Sequence, residues 1–328
     1  MKKIALWIAL LLSGSVHAQD FHLSQYEAAA LNVNPAMTGM FKGQLRIHGH
    51  YRTQWSAIAT KPFTTGLVAV DMPYKKIAFG LQIANFRAGA GNYNVFSALA
   101  SVGYDMKLDK NNHHHLSMGL QLGGFQKSIN LNKLYFGAQY SPFNGGYFDQ
   151  SLSNGESLAG NSVLKGDVNL GLMYYYGNEN TLFNPFLGLS GFHLNQPKES
   201  FFNNNNKLPI RWLMHAGTKV NLTEKIQLVG KVFYMGEKNA RELTYAADVH
   251  YYLQDADAFL ICGATMRSKD AAVLMGGLRL GKFTYRLSYD INTSTLRPAT
   301  NGRGGLELSV TFINNKVDPN PIKTCPRL

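Results

Sequence analysis

From Gln44 to Asn314 the chain breaks into segments of roughly ten residues in which polar and apolar positions alternate, each bounded by Gly, Asn, Asp, Pro or Lys. Fourteen can be counted: 44–55, 63–72, 76–86, 92–106, 114–127, 164–177, 183–194, 208–221, 225–236, 240–253, 257–267, 270–280, 282–292 and 304–314. In KFTYRLSYDIN, Phe283, Tyr285, Leu287, Tyr289 and Ile291 share one face and Thr284, Arg286, Ser288 and Asp290 the other. In ELTYAADVHYYL, Leu243, Tyr245, Ala247, Val249 and Tyr251 oppose Glu242, Thr244, Asp248 and His250. Period-two alternation is the mark of a strand with two unlike faces. Apolar residues out to lipid and polar residues into a lumen are what a spanning barrel requires.

Connection length supplies a second regularity. With the first strand running outward, the short turns fall on even-numbered connections: MPYKK, the turn after Leu108 with its three histidines, GNENTL, NLTEK, LQDAD and Gly281-Lys282. The longest linkers fall on odd ones: 128–163, NQPKESFFNNNNK and TSTLRPATNGRG. Outer-membrane barrels have even strand numbers, short periplasmic turns and long outer loops. A soluble sandwich or propeller also has many short strands, but no period of 40 to 50 residues repeats here, and neither predicts this alternation of loop lengths.

Before Gln44 the pattern changes. MKKIALWIALLLSGSVHA pairs Lys2 and Lys3 with an apolar run and a small-residue exit at Val16 and Ala18, which predicts a secretory signal peptide over 1–18. The next segment, 19–43, is expected to plug the barrel or lie on its periplasmic side. Its one helix is expected from Ser24, an N-cap with Glu27 three residues on, to Val33, where Pro35 forces Asn34 out of the helical region. The barrel then covers 44–314, and a polar tail with three prolines, 315–328, extends into the periplasm.

Composition agrees with an all-β membrane protein. After Leu12 no stretch approaches the roughly 20 consecutive apolar residues of a spanning helix. Charged residues are only 16% of the chain and aromatics reach 12%, against about 25% charged in ordinary soluble domains. Tyr51, Trp55 and Trp212 suit aromatic girdles at the membrane interfaces. The formal charge is +12, but lysines and arginines are scattered and form no run of five, so the reading is solvated loops and a basic lumen, with no nucleic-acid partner. Cys262 and Cys325 are the only cysteines; one lies on a strand and one in the tail, so no disulfide between them is expected.

Candidate chemistry is sparse, and no cofactor is expected. His48-Gly49-His50, in QLRIHGHYRTQW, has the spacing with which a strand offers two imidazoles to one metal, and His215, Asp248 and His250 also face inward. However, Arg46 and Arg52 stand on the same face and oppose a dication. Arg46, His48, His50 and Arg52 are therefore read as a basic column on the lumen side of the first strand, not a metal site, and the protein as a non-enzyme. Gly276 to Phe283 lacks the hydroxyl and the helix of a phosphate-binding loop. His113, His114 and His115 read as a polar periplasmic turn, and Asn203 to Asn206 as a loop tip.

SQYEAAALNVNPAMTG followed by HYRTQW resembles the PorP/SprF family of outer-membrane proteins of the type IX secretion system. The matching residues are Ser24, Gln25, Tyr26, Asn34, Pro35, Ala36, Gly39, Tyr51, Arg52, Gln54 and Trp55. Ser288-Tyr289-Asp290, Gly305-Leu306-Glu307 and Cys325-Pro326-Arg327 fit as well, while Phe21-His22 and the final Leu328 depart from the pattern. The resemblance implies a barrel related to the long-chain fatty-acid transporter class, with its N-terminal segment inside or beneath the barrel. It further implies a role in exporting or attaching particular cargo, such as gliding adhesins, with secreted cargo, outer-membrane lipid and periplasmic secretion components as partners. The alternative left by the residues themselves is an outer-membrane channel for small hydrophobic or anionic solutes.

Overall fold

A computed structural model describes residues 22–314 except 58, 60, 144–145, 157–159, 179 and 203–204. The expected signal peptide and the C-terminal tail with Cys325 lie outside the described residues. Sixteen strands follow one another: β1 (Leu45–Gln54), β2 (Phe63–Tyr74), β3 (Ile77–Ala88), β4 (Tyr93–Lys107), β5 (His114–Ser128), β6 (Tyr140–Ser141), β7 (Tyr147–Phe148), β8 (Ser162–Tyr176), β9 (Phe183–Phe192), β10 (Arg211–Asn221), β11 (Ile226–Glu237), β12 (Ala240–Leu253), β13 (Ala258–Arg267), β14 (Ala271–Leu280), β15 (Phe283–Asn292) and β16 (Arg303–Asn314). All but β6 and β7 form one closed antiparallel barrel of fourteen strands, in which β1 pairs with β16. Strands β6 and β7 form a separate hairpin within the long β5 to β8 connection.

The wall follows from the alternation. On β16, Leu306 and Leu308 are exposed while Glu307 and Ser309 are buried. Tyr51, Trp212 and Tyr289 face outward near the long-loop rim, and Tyr74, Tyr104, Tyr251 and Tyr285 near the short-turn rim. An apolar belt flanked by aromatic girdles is the lipid-facing surface of an outer-membrane barrel. Closure pairs every barrel strand on both sides and leaves no open sheet edge in hydrocarbon.

Three details differ from the sequence reading. Strand β1 stops at Gln54, and Trp55 turns off it in a left-handed conformation (φ 60) to meet Phe63 edge-on at 4.7 Å. Trp55 thus borders the interior of the outer mouth instead of a girdle. Only His113 of the histidine tract lies in the turn. There the Asp109 carboxylate accepts the main-chain N–H groups of His114 and His113 at 2.8 Å each, which holds its pKa below the usual range. His114 and His115 already belong to β5, where His114 meets the Tyr174 hydroxyl and His115 meets Asp105.

The third concerns the expected Ser24–Val33 helix. The segment forms a 3-10 turn at Tyr26–Ala28, one helical turn at Ala30–Val33 and a second 3-10 turn at Pro35–Met37. Ser24 caps none of them, and Glu27 closes no capping box: both side chains bond to the barrel wall. Tertiary partners outcompete the local caps, as they do when a short helix carries little stability of its own.

Candidate functional site

Residues 22–41 run through the barrel from its outer half toward the short-turn end, where β1 begins. One apolar flank of this segment, including Tyr26, Val33, Met37 and Met40, packs on Met173, Phe192, Leu213, Phe233 and Met235 of β8 to β11. Tyr26 and Phe233 stack at 4.7 Å. The opposite flank, Leu23, Ala29 and Leu31, packs on Leu67, Ala69 and Ala84 of β2 and β3. Two facing apolar patches of the wall thus define where the segment sits.

The outer anchor is ionic. The main-chain N–H groups of Ser24 and Gln25 donate to Glu307 Oε1 at 2.6 Å and Oε2 at 2.9 Å. Gln25 Nε2 donates to Ser288 Oγ at 2.9 Å, and Ser309 Oγ donates to Gln25 Oε1 at 2.7 Å. Ser24 Oγ donates to Asp290 at 2.8 Å and accepts from Arg52 Nη1 at 2.7 Å and Arg267 Nη1 at 3.0 Å. Arg52 and Arg267 each donate a further 2.9 Å bond to Asp290 Oδ2, and Arg52 also pairs with Glu307. All of these groups are buried. Two guanidinium groups and two carboxylates neutralise each other, with further donors filling the carboxylate lone pairs, which is what makes buried charge tolerable.

The middle anchor is the Asn-Pro-Ala turn. Asn34 Oδ1 accepts the Ala36 N–H at 2.9 Å, closing the turn, while Nδ2 donates to the Leu172 carbonyl at 3.0 Å and the Leu189 carbonyl at 3.3 Å. Ser117 Oγ and Ser190 Oγ each donate at 2.7 Å, to the Ala36 and Val33 carbonyls. The turn fits because the wall has glycine opposite it: a side chain at Gly171 would overlap Asn34 Oδ1, and one at Gly119 would overlap the Pro35 carbonyl. At the lower anchor Gly39 (φ +71) donates its N–H to Asp71 Oδ2 at 2.7 Å. Arg46 grips the same carboxylate with bonds of 2.8 and 2.7 Å and reaches the Met37 carbonyl at 3.2 Å.

The predicted residues divide accordingly. Ser24, Gln25, Asn34, Pro35, Ala36, Gly39, Arg46 and Arg52 meet at the interface of segment and wall, and Tyr26 supplies apolar packing there. Gln54 supports Arg52, accepting from its Nε at 2.6 Å. Tyr51 points away, and Trp55 borders the outer mouth. His48 pairs with Thr311 Oγ1 at 2.9 Å and His50 with Glu307 at 3.1 Å. Among the described residues no group of three or more His, Cys, Asp or Glu could hold a metal ion.

The basic column is therefore no bare stripe of cations. Spacing along β1 did not reveal Asp71, Asp290 and Glu307, which balance it. The available signal was topological: closure sets the last strand against the first, and Arg52 lies in register with Glu307.

Two cavities flank the docked segment. The outer one, about 1260 Å³, is bordered by Trp55, Phe63, Phe86 and Tyr93 on one side and by charged side chains from β10 to β13 on the other. The inner one, about 120 Å³, lies at the short-turn end.

Among solved structures the chain is similar to the toluene transporter TodX of P. putida, with 10% identity over 88% of this chain and 94% of that one and a TM-score of 0.51. It is also similar to the toluene transporter TbuX of Ralstonia pickettii, with 10% identity over 87% of this chain and 92% of that one and a TM-score of 0.50. At this identity the likeness concerns the fold alone. A search of the curated proteins finds no match. The model of the family described as type IX secretion system membrane protein PorP/SprF matches residues 15–312, nearly the whole chain. With its closed barrel in the outer membrane and its N-terminal motif docked on the strands that close it, the chain belongs to the PorP/SprF family of type IX secretion.

Proposed function

We propose that the protein is a plugged, non-enzymatic outer-membrane platform that supports the export or surface attachment of specific secreted cargo, such as gliding adhesins, while contacting periplasmic secretion components. The observation that carries this reading is the docked segment, held at three heights by bonds to β1, β2, β5, β8, β9, β15 and β16. A passive pore has no use for so many buried polar contacts across its lumen. A fixed plug gives a stiff body whose two mouths are free for recognition, and the outer mouth carries the cavity of about 1260 Å³ and the longest loops. The test is a deletion strain carrying either the wild-type chain or none. Loss of particular cargo from the surface, with other secreted proteins unchanged, is the expected result, and normal surface display of all cargo would overturn it.

The second reading, a channel for small hydrophobic or anionic solutes, draws on the fold shared with toluene transporters and on the aromatic border of the outer cavity. Planar-bilayer conductance separates the two. The platform predicts little current until residues 22–41 are removed, whereas the channel predicts solute flux through the intact protein.

A further inference from the structure

Two arcs of the outer mouth face each other with unlike chemistry. On one, Trp55 just past β1, Phe63 of β2, Phe86 of β3 and Tyr93 of β4 border the outer cavity. Each ring is only half-buried, although it sits on the lumen side of the wall. Trp55 meets Phe63 at 4.7 Å and Phe63 meets Phe86 at 6.1 Å, so the rings form a continuous apolar strip. Apolar surface left open to water and rimmed by polar groups marks a place where something binds.

The opposite arc of the closed ring runs from β10 to β14. The acids that border the cavity are already held. Asp167 meets His193 at 2.9 Å, Glu199 contacts Lys127, Glu242 meets His22 at 3.4 Å, and Glu237 is buried and engaged. Asp270 and Asp290 are both bound by Arg267. Three cations are not held. Lys207 in the β9 to β10 connection, Lys238 in the β11 to β12 turn and Lys269 in the β13 to β14 turn border the same cavity, are exposed, and form no ion pair among the described residues.

A surplus of positive charge at a mouth draws in an acidic ligand. The lysines stand on successive outer connections instead of around one point, so they match carboxylates strung along a chain. Successive side chains of an extended polypeptide point to opposite sides. Acids at every second position would therefore meet the lysines while the residues between them meet the aromatic strip. At about 1260 Å³ the cavity exceeds small-molecule pockets, which hold about 300 to 1,000 Å³, and it admits a segment of chain.

We infer, resting on the reading of the protein as a recognition platform, that the outer cavity receives an extended polypeptide segment in which acidic and apolar residues alternate. Its acids face Lys207, Lys238 and Lys269, and its apolar side chains face Trp55, Phe63 and Phe86.

The test uses the purified full-length protein in detergent, with native folding checked by heat-modifiable gel mobility. The probe is a fluorescein-labelled nonapeptide of alternating glutamate and valine, read by fluorescence anisotropy. Saturable binding is expected, at least tenfold weaker when the glutamates are replaced by glutamine or the valines by serine. Lys238→Gln and Lys269→Gln combined in one chain should weaken it at least tenfold, and so should Trp55→Ala. Lys110→Gln, in an exposed turn at the opposite end, should leave it unchanged. If Trp55→Ala fails the mobility check, Phe63→Leu takes its place with the same expectation. Absence of saturable binding, equal binding of the glutamine peptide, or binding undiminished in the folded variants would overturn the assignment. Binding of an oligogalacturonate without binding of the peptide would overturn it too, in favour of an anionic sugar. Cargo display in the deletion strain is read separately, so the platform can stand where this occupant fails.

Discussion

Ser24 and Glu307 are 283 positions apart in the chain, yet the Ser24 main-chain N–H lies 2.6 Å from the Glu307 carboxylate. Barrel closure makes this possible: β16 returns beside β1, and the segment preceding β1 doubles back through the lumen to reach it. Glu307 accepts from two main-chain N–H groups, Arg52 and His50, so it ties the plug, the first strand and the last strand together.

Glu307→Gln is therefore expected to free the plug before it harms the barrel. Removing one partner of a buried ion pair costs roughly 3 to 5 kcal/mol, because the other charge is left uncompensated. Hydrogen exchange over residues 24–38 should accelerate a hundredfold or more, while the barrel keeps its heat-modifiable mobility. Replacing Arg52 and Glu307 together with methionine should cost less than the sum of the single changes, since neither charge is then stranded. Additive costs would show that the pair is not the anchor.

Two glycines distinguish a wall shaped for the plug from a wall merely permissive. A methyl group at Gly171 has no room beside Asn34, whereas nothing lies within 4 Å of one at Gly49. Gly171→Ala should displace the Asn-Pro-Ala turn, at a cost of about 1 to 3 kcal/mol typical of overpacking, and raise exchange at Asn34 to Ala36. Gly49→Ala should leave exchange unchanged. Equal behaviour of the two variants would refute this role for Gly171.

The barrel was legible in the sequence because lipid and lumen impose opposite demands on alternate residues for the length of each strand. All fourteen segments became barrel strands, with ends displaced by no more than three residues. The plug was less legible. Ser24 and Glu27 look like a helix start, but the local cap they offer is weaker than the bonds that Asp290, Arg52 and Lys231 make from the wall. The Arg46 to Arg52 column was visible from its period, and its counter-charges were not. Asp71, Asp290 and Glu307 lie 25, 238 and 255 residues from the arginines they hold. The motif residues at the two ends of the chain, noted separately, turn out to be one site.

Glu27 gives the docking a pH dependence with a definite sign. Burial alone would raise its pKa, but the cations Lys231 and Arg286, with its main-chain hydrogen bond, overcome that and hold it below its ordinary 4.5. A depressed carboxylate pKa contributes stability above the undocked value, and that contribution disappears as pH falls through the docked value. Docking should therefore be constant from neutral pH to about 4.5 and weaken below it. Asp290 and Glu307 also hold the segment, so the informative quantity is the difference between wild type and Glu27→Gln. That difference should shrink as the pH is lowered, and one that grew on acidification would contradict the assignment.

The outer face yields a prediction independent of the plug. Leu308 lies in the middle of β16 and is 48% exposed, while Phe283 begins β15 near the short-turn rim. An arginine facing lipid costs about 2 to 4 kcal/mol at the bilayer midplane and about 0 to 1 near an interface. Leu308→Arg should thus lower the stability of the barrel in lipid vesicles, measured by equilibrium unfolding, by several times as much as Phe283→Arg. Both variants leave the lumen untouched, so exchange at Ser24 and Asn34 in the folded protein should match wild type. Equal costs at the two positions would mean that the apolar belt is not centred on the middle of β16, and that the arginines of β1 are kept inward by their carboxylate partners alone.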